Sequence, residues 1–251
     1  MRLAPETRSP WQTVRSSISL SSGEVDVWSV RLESSEHGAA ALVATLSSDE
    51  LERADRFHFD RDRWRYICGR GVLRQLLGAY LNVSPAEVTF GYGTYGKPAL
   101  SGKGEGLLKF NVSHSHELAL VAVGDVEMGV DVEAIRPMAD ADDIASRFFS
   151  PRELADLRAL PLTLRDAAFF ACWTRKEAYL KALGSGLALP LDGFTVTLAP
   201  ATPIELVVHG DARETARWSI RELSPPAEYA AALVTEGRPT QVRCWQWPPM
   251  R

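Results

Sequence analysis

Apolar residues between positions 47 and 81 recur at helical spacing. Trp64, Cys68, Val72, Leu76 and Tyr80 fall every four residues, with Ile67, Leu73 and Leu77 beside them, which predicts a long amphipathic helix. A second is predicted over residues 166–183, where Phe169, Cys172, Trp173, Lys176, Leu180 and Leu183 keep helical spacing and Gly184 supplies a C-terminal stop. Between them the period changes. ELALVAV and EMGVDVE, within residues 117–133, read as two strands around Gly124 and Asp125, a predicted hairpin. Shorter strand-like runs stand at VTF (88–90), FTVTL (194–198) and VRCWQW (242–247), the last with no site assigned to it. Residues 1–22, rich in Ser, Arg and Pro without a period, read as a poorly ordered lead-in.

The order of events repeats along the chain. SSDEL (47–51) precedes the first helix and VTF, and SPREL (150–154) precedes the second helix and FTV. This implies an internal duplication of about 110 residues per unit, joined near residues 124–128. The expected architecture is therefore α+β: two similar lobes, 23–125 and 126–251, form an intramolecular pseudo-dimer with ligand space between them.

With 251 residues, 45% hydrophobic and 24% charged, the chain can bury a real core, and the composition excludes a disordered, collagen-like or low-complexity protein. A net charge of −4 argues against nucleic acid as a partner. Locally, however, Arg61, Arg63, Arg65, Arg70 and Arg74 stand against Asp62 alone and predict a basic surface on the first long helix. Cys68, Cys172 and Cys244 suggest neither a disulfide framework nor a four-ligand zinc site, which fits a reducing cytoplasm. No apolar run has signal-peptide character or membrane-spanning length, so neither export nor a membrane partner is expected.

Four segments carry candidate chemistry. In GVDVE (129–133), Asp131 and Glu133 alternate with Val130 and Val132, so in a strand the two carboxylates share a face. They read either as the polar side of an ordinary half-exposed strand or as two hard oxygen ligands for Mg²⁺. Glu177 and Lys181 stand one helical turn apart. They read as a favourable surface pair, or as a carboxylate directed at a metal or nucleophile beside an ammonium directed at phosphate. GYGTYGKP (91–98) approaches a phosphate-loop pattern, but Pro98 replaces the hydroxyl residue. That rules out a nucleotide-hydrolase loop and leaves a glycine-rich turn, either a plain solvated hairpin loop or a presenter of one cation, Lys97. FNVSHSH (110–116) ends a strand with Ser113, His114 and His116. These can contact a phosphate, supply a histidine pair to a metal, or simply close the strand; His37, His58 and His209 are not in ligand spacing with the pair.

Taken in order, YGKP (95–98), FNVSHS (110–115), GVDVE (129–133), RFFSPRE (147–153) and WTRKEAYLKALGSGL (173–187) resemble the 4'-phosphopantetheinyl transferases of the surfactin-synthetase-activating (Sfp) type, over residues 47–198. The resemblance implies a pseudo-dimer of two α+β lobes with the metal site in the second. It implies transfer of the 4'-phosphopantetheine group of coenzyme A to a serine of an acyl or peptidyl carrier protein, releasing adenosine 3',5'-bisphosphate. Asp131 and Glu133 then correspond to Mg²⁺ ligands, with Mn²⁺ as a substitute, and Glu177 to a third ligand, the general base, or both. Lys181 corresponds to the pyrophosphate-binding cation, and Ser113 and His114 to phosphate contacts. Lys97 and Pro98 correspond to the turn against the nucleotide, and Arg53 and Arg61 to cations for the 3'-phosphate. A fused pair of lobes implies a monomer. The other readings are a metal-dependent hydrolase using His114 and His116 with Asp131, and a catalytically silent coenzyme A or carrier-protein binding module.

Overall fold

The computed structural model describes residues 11–13, 18–32, 36–184, 189–198 and 204–248. The first part of the chain runs β1 (Gln12–Thr13), β2 (Glu24–Arg31), α1 (Glu36–Val43), α2 (Ser48–Ala54), α3 (Asp60–Leu81), β3 (Thr89–Tyr92), β4 (Pro98–Ser101), β5 (Lys109–Ser115) and β6 (Leu118–Gly124). The second runs β7 (Met128–Ala134), α4 (Ala141–Phe148), α5 (Pro151–Ala159), α6 (Leu162–Leu183), β8 (Phe194–Val196), β9 (Leu206–Val208), α7 (Ala212–Arg217), β10 (Trp218–Glu222), β11 (Tyr229–Glu236) and β12 (Gln241–Gln246).

The α+β pseudo-dimer is visible in strand order. Sheet order β2-β6-β5 in the first lobe is matched by β7-β11-β10 in the second. The long helices α3 and α6 are 22 residues each, and both end on a left-handed cap, Asn82 (φ 53°) and Gly184 (φ 67°). Equal length gives them a common numbering, so Arg74 and Lys176 hold the same helical position. Their surroundings match. Ser47 and Ser150 each open a capping box closed by Glu50 or Glu153. Arg74 Nε reaches Glu50 at 2.6 Å, and its guanidinium donates to the carbonyls of Pro85 and Val88. Lys176 Nζ stands 2.8 Å from Glu153 and donates to the carbonyls of Leu191 and Phe194. Thus SSDEL/SPREL and VTF/FTV mark one ion pair, used twice, that locks a short helix and a short strand to a long helix.

Three apolar clusters fill the molecule. One lies between α1–α3 and the first sheet (Trp28, Leu42, Ile67, Leu76, Phe110, Val121), and one between α4–α6 and the second (Phe149, Phe169, Tyr179, Phe194, Val234). The third lies where the two sheets pack back to back (Val25, Val27, Leu120, Val130, Val132, Leu233). Cys68, Cys172 and Cys244 are all buried.

Four expectations change. The 117–133 segment makes two strands but not a hairpin, because β6 pairs with β2 and β5 whereas β7 pairs with β11; the turn carries the chain from one sheet to the other. Helix α6 begins at Leu162, after Pro161, rather than at 166. The basic face of α3 is largely spent within the protein: Arg74 and Arg70 both bond Glu50, Arg65 and Arg63 pair with Glu117 and Asp55, and Arg61 with Asp62. Finally, the 125/126 division is crossed by β12, which returns to lie parallel to β2 in the first sheet, where its backbone finds an open edge. Of the N-terminal lead-in, Gln12 and Thr13 pair with β12, while 1–10 and 14–17 lie outside the described residues.

Candidate active site at the lobe seam

Strand β5, the edge of the first sheet, faces β7, the edge of the second, and side chains complete the junction. Asn111 Oδ1, Ser113 Oγ and Ser115 Oγ accept the backbone N–H groups of Val130 (2.9 Å), Val132 (3.3 Å) and Ala134 (3.1 Å). Alternate residues of a strand share a face, so these three polar side chains form a row that satisfies an otherwise unpaired sheet edge.

The row also reaches the acids. Asp131 is 3% exposed, and its Oδ1 accepts Ser113 Oγ at 2.7 Å and Lys181 Nζ at 2.6 Å. Lys181 also donates to Ser113 Oγ at 2.9 Å. The other oxygen, Oδ2, is buried and has no hydrogen-bond partner among the described residues. Ser115 Oγ donates to Glu133 at 2.8 Å. Burial raises the Asp131 carboxyl above the ordinary range, opposed chiefly by Lys181. Burial also raises Glu133, and raises Glu177, where the charges of Asp131 and Glu133 add to it and Lys181 opposes. Three carboxyls thus repel one another around a single ammonium.

Helix α6 brings Glu177 and Lys181 to β7 because position 129 has no side chain. A Cβ on Gly129 would lie 2.0 Å from the Ala178 carbonyl oxygen and 2.4 Å from the Ala182 nitrogen. Gly129→Ala therefore forces α6 away from β7, and since the obstructing atoms are backbone, small side-chain adjustments cannot relieve the clash. An unfolding free energy lower by about 2 kcal/mol or more, measured in urea, is expected.

The remaining candidates fall in different places. His114 lies on the opposite face of β5 from Ser113 and is exposed; desolvation and then the Lys181 charge lower its pKa. His116 is in the turn that follows β5, with φ 53°. Lys97, preceding Pro98 and β4, bridges the lobes: its Nζ contacts Glu127 (3.3 Å) and the carbonyls of Met128 (3.2 Å) and Ala182 (3.1 Å). It is not presented as a free cation. Arg53 lies over the Tyr66 ring and Arg61 pairs with Asp62; both are exposed, on α2 and α3. Asn111, Ser115 and Gly129 have no role in the sequence reading. Their signals were the period-two row of small polar residues in β5 and a glycine within an apolar strand.

Among the described residues no three His, Cys, Asp or Glu side chains are already set to hold a metal. The donor chemistry nevertheless suits a hard divalent cation. An unpartnered buried carboxylate oxygen costs free energy, and two further carboxyls destabilised by mutual repulsion would be relieved by positive charge.

Comparison with known proteins decides the family. Residues 31–125 match the model described as "4'-phosphopantetheinyl transferase, N-terminal", and residues 127–234 that of the "4'-phosphopantetheinyl transferase superfamily". The 4'-phosphopantetheinyl transferase HetI of Nostoc sp. is 42% identical over 239 residues, 94% of this chain and 98% of its own. This chain belongs to the 4'-phosphopantetheinyl transferase superfamily. A 4'-phosphopantetheinyl transferase of Bacillus subtilis is 35% identical, and Sfp of Bacillus subtilis strain 168 is 31% identical, each match covering 62% of this chain and 68% of the relative. Both family models meet at β6 and β7, the two strands that the pseudo-dimer seam divides.

Proposed function

We propose that this chain transfers the 4'-phosphopantetheine group of coenzyme A to a serine hydroxyl of an acyl or peptidyl carrier protein, and that Asp131, Glu133 and Glu177 hold the Mg²⁺ the reaction uses. The observation that carries the metal assignment is the Oδ2 of Asp131, buried without a hydrogen-bond partner among the described residues, on a carboxylate whose charge acts on both Glu133 and Glu177. Mg²⁺ held there supplies charge neutralisation to the pyrophosphate of coenzyme A.

The protein groups divide the remaining work. The serine oxygen attacks the phosphorus that bears the pantetheine arm, and the bond from that phosphorus to the bridging oxygen breaks. Adenosine 3',5'-bisphosphate departs with the bonding electrons. Lys181, held by Asp131 and Ser113, is placed to offset the charge developing on that oxygen. Glu177 accepts the serine proton, a task suited to a carboxyl whose pKa lies above the ordinary range. His114, Arg53 and Arg61 remain exposed for phosphate contact. Lys97 and Pro98 shape the turn beside the seam, with Lys97 serving as a tether between lobes. The seam is built within one chain, which supports a monomer, and the three buried cysteine thiols fit the reducing cytoplasm proposed for it.

Incubation with coenzyme A, Mg²⁺ and an apo carrier protein is expected to add one phosphopantetheine to the carrier, read by intact-protein mass spectrometry, and chelation of the metal is expected to stop it. No gain across a panel of fatty-acid, polyketide and peptidyl carriers would refute the transfer. Transfer undiminished in chelator would refute the metal assignment alone.

A further inference from the structure

The turn between β3 and β4 reaches from the first lobe to the end of α6. It is closed by the Gly93 N–H donating to the Lys97 carbonyl (3.0 Å) and the Gly96 N–H to that of Gly93 (2.9 Å), with Gly96 in the left-handed region at φ 79°. Glycine takes that conformation without strain. The Lys97 side chain leaves this turn with 22% of its surface exposed. Its stem passes so close to the cap of α6 that a Cβ on Gly184 would lie 3.2 Å from Lys97 Cδ.

An ammonium has three N–H groups and no acceptor. Those of Lys97 meet three acceptors, Glu127 Oε2 (3.3 Å) and the carbonyls of Met128 (3.2 Å) and Ala182 (3.1 Å), so no donor is left over for a phosphate. The Ala182 carbonyl belongs to the last turn of α6, where carbonyls lack partners within the helix and carry the negative end of its dipole. A cation is favourable there. Lys181 is the basic residue of that turn, but its ammonium is turned to Asp131 and Ser113. The capping charge comes instead from Lys97, 85 positions earlier in the chain. Glu127, which leads into β7, also meets Lys109 Nζ of β5 at 2.7 Å, so two cations of the first lobe hold it.

The three acceptors adjoin the reacting groups. Ala182 follows Lys181, and Met128 precedes Gly129, where α6 and β7 approach most closely. One ammonium therefore ties helix to strand at the end of α6 that carries Lys181.

We infer that Lys97 is a positioning residue: from the first lobe it caps α6 and holds the last turn of that helix on β7, which sets Lys181 against Asp131, and its ammonium does not itself bind the phosphates of coenzyme A. The consequence for catalysis rests on the transferase reading; the capping of α6 does not.

Lys97→Met keeps the stem and removes the donors. In the full chain it is expected to lower kcat for transfer to an apo carrier protein by about tenfold or more, because the helix end that carries Lys181 shifts. KM for coenzyme A, and Kd for adenosine 3',5'-bisphosphate by equilibrium dialysis, should stay within about threefold, since no phosphate contact is removed. Hydrogen exchange should quicken over residues 180–184 and hold over 168–174. If Lys97→Met cannot be purified folded, Glu127→Gln carries the same comparison, with kcat lower by about two- to threefold and KM unchanged. A rise of about tenfold in KM for coenzyme A with kcat held would make Lys97 a phosphate contact and overturn the inference, as would unaltered exchange over 180–184. A chain that transfers to no carrier, yet exchanges faster over 180–184 in Lys97→Met, would refute the transferase reading and leave the cap standing.

Discussion

Asp131→Asn is expected to lower the transfer rate by about 10³-fold or more, with the fold retained. Asparagine has nearly the same shape and can still accept from Ser113 and Lys181, so the seam has no steric reason to open. What disappears is the negative charge that holds the Lys181 ammonium and that the unpartnered Oδ2 would offer to the proposed Mg²⁺. The effect on stability is opposite in kind. Burial disfavours the Asp131 charge, and Lys181, with 30% of its side chain exposed, can turn to water when its partner is neutralised. The midpoint of unfolding should therefore hold or rise, as expected where a function needs a group the fold would rather not bury. Transfer rate and thermal midpoint measured on the same preparation check both halves. Unimpaired transfer would remove Asp131 from the chemistry.

Lys176→Met is expected to destabilise the chain by about 3–5 kcal/mol, the largest stability effect anticipated here. Both Lys176 and Glu153 are fully buried, with Nζ 2.8 Å from the carboxylate. The variant leaves Glu153 with the amides of Ser150 and Val196 and the Cys172 thiol as partners, none of them a cation, and it also leaves the Leu191 and Phe194 carbonyls without the Lys176 donor. Adding Glu153→Gln should recover part of the loss, because an amide in that pocket carries no uncompensated charge. Urea unfolding of the two singles and the double measures the coupling. Equal destabilisation by Lys176→Met with and without Glu153→Gln would show that the charge is not the cause. Lys176 neighbours Glu177 in sequence but points to the other side of α6, so the same helical turn serves the core and the seam.

The internal duplication, the two long helices and the strand character of β7 were legible because each depends on local periodicity. A helix that buries one face must repeat its apolar residues near every fourth position, as Trp64 to Tyr80 do, and a strand between sheet core and helix must alternate, as Val130 to Glu133 do. The SSDEL and SPREL signals were legible for the same reason, since a capping box is complete within four residues. The five ordered motifs then pointed to the family and to the acids later found grouped with Lys181.

Other features depended on contacts between segments far apart in sequence, which no local pattern encodes. Whether β6 and β7 would pair with each other or part into different sheets was settled by which edges were open. The arginines of α3 looked like a basic surface until Glu50, Glu117 and Asp55 came within reach of them. Lys97 looked like a free cation until the last turn of α6 and Glu127 arrived beside it. Gly129 is an ordinary glycine on paper and the point of closest helix approach in space. Most of all, Asp26 and Asp131 share the same local sequence, Val-Asp-Val. One is paired by a strand more than 200 positions away and the other left with an oxygen that has no partner among the described residues, because pairing is a property of the assembled neighbourhood.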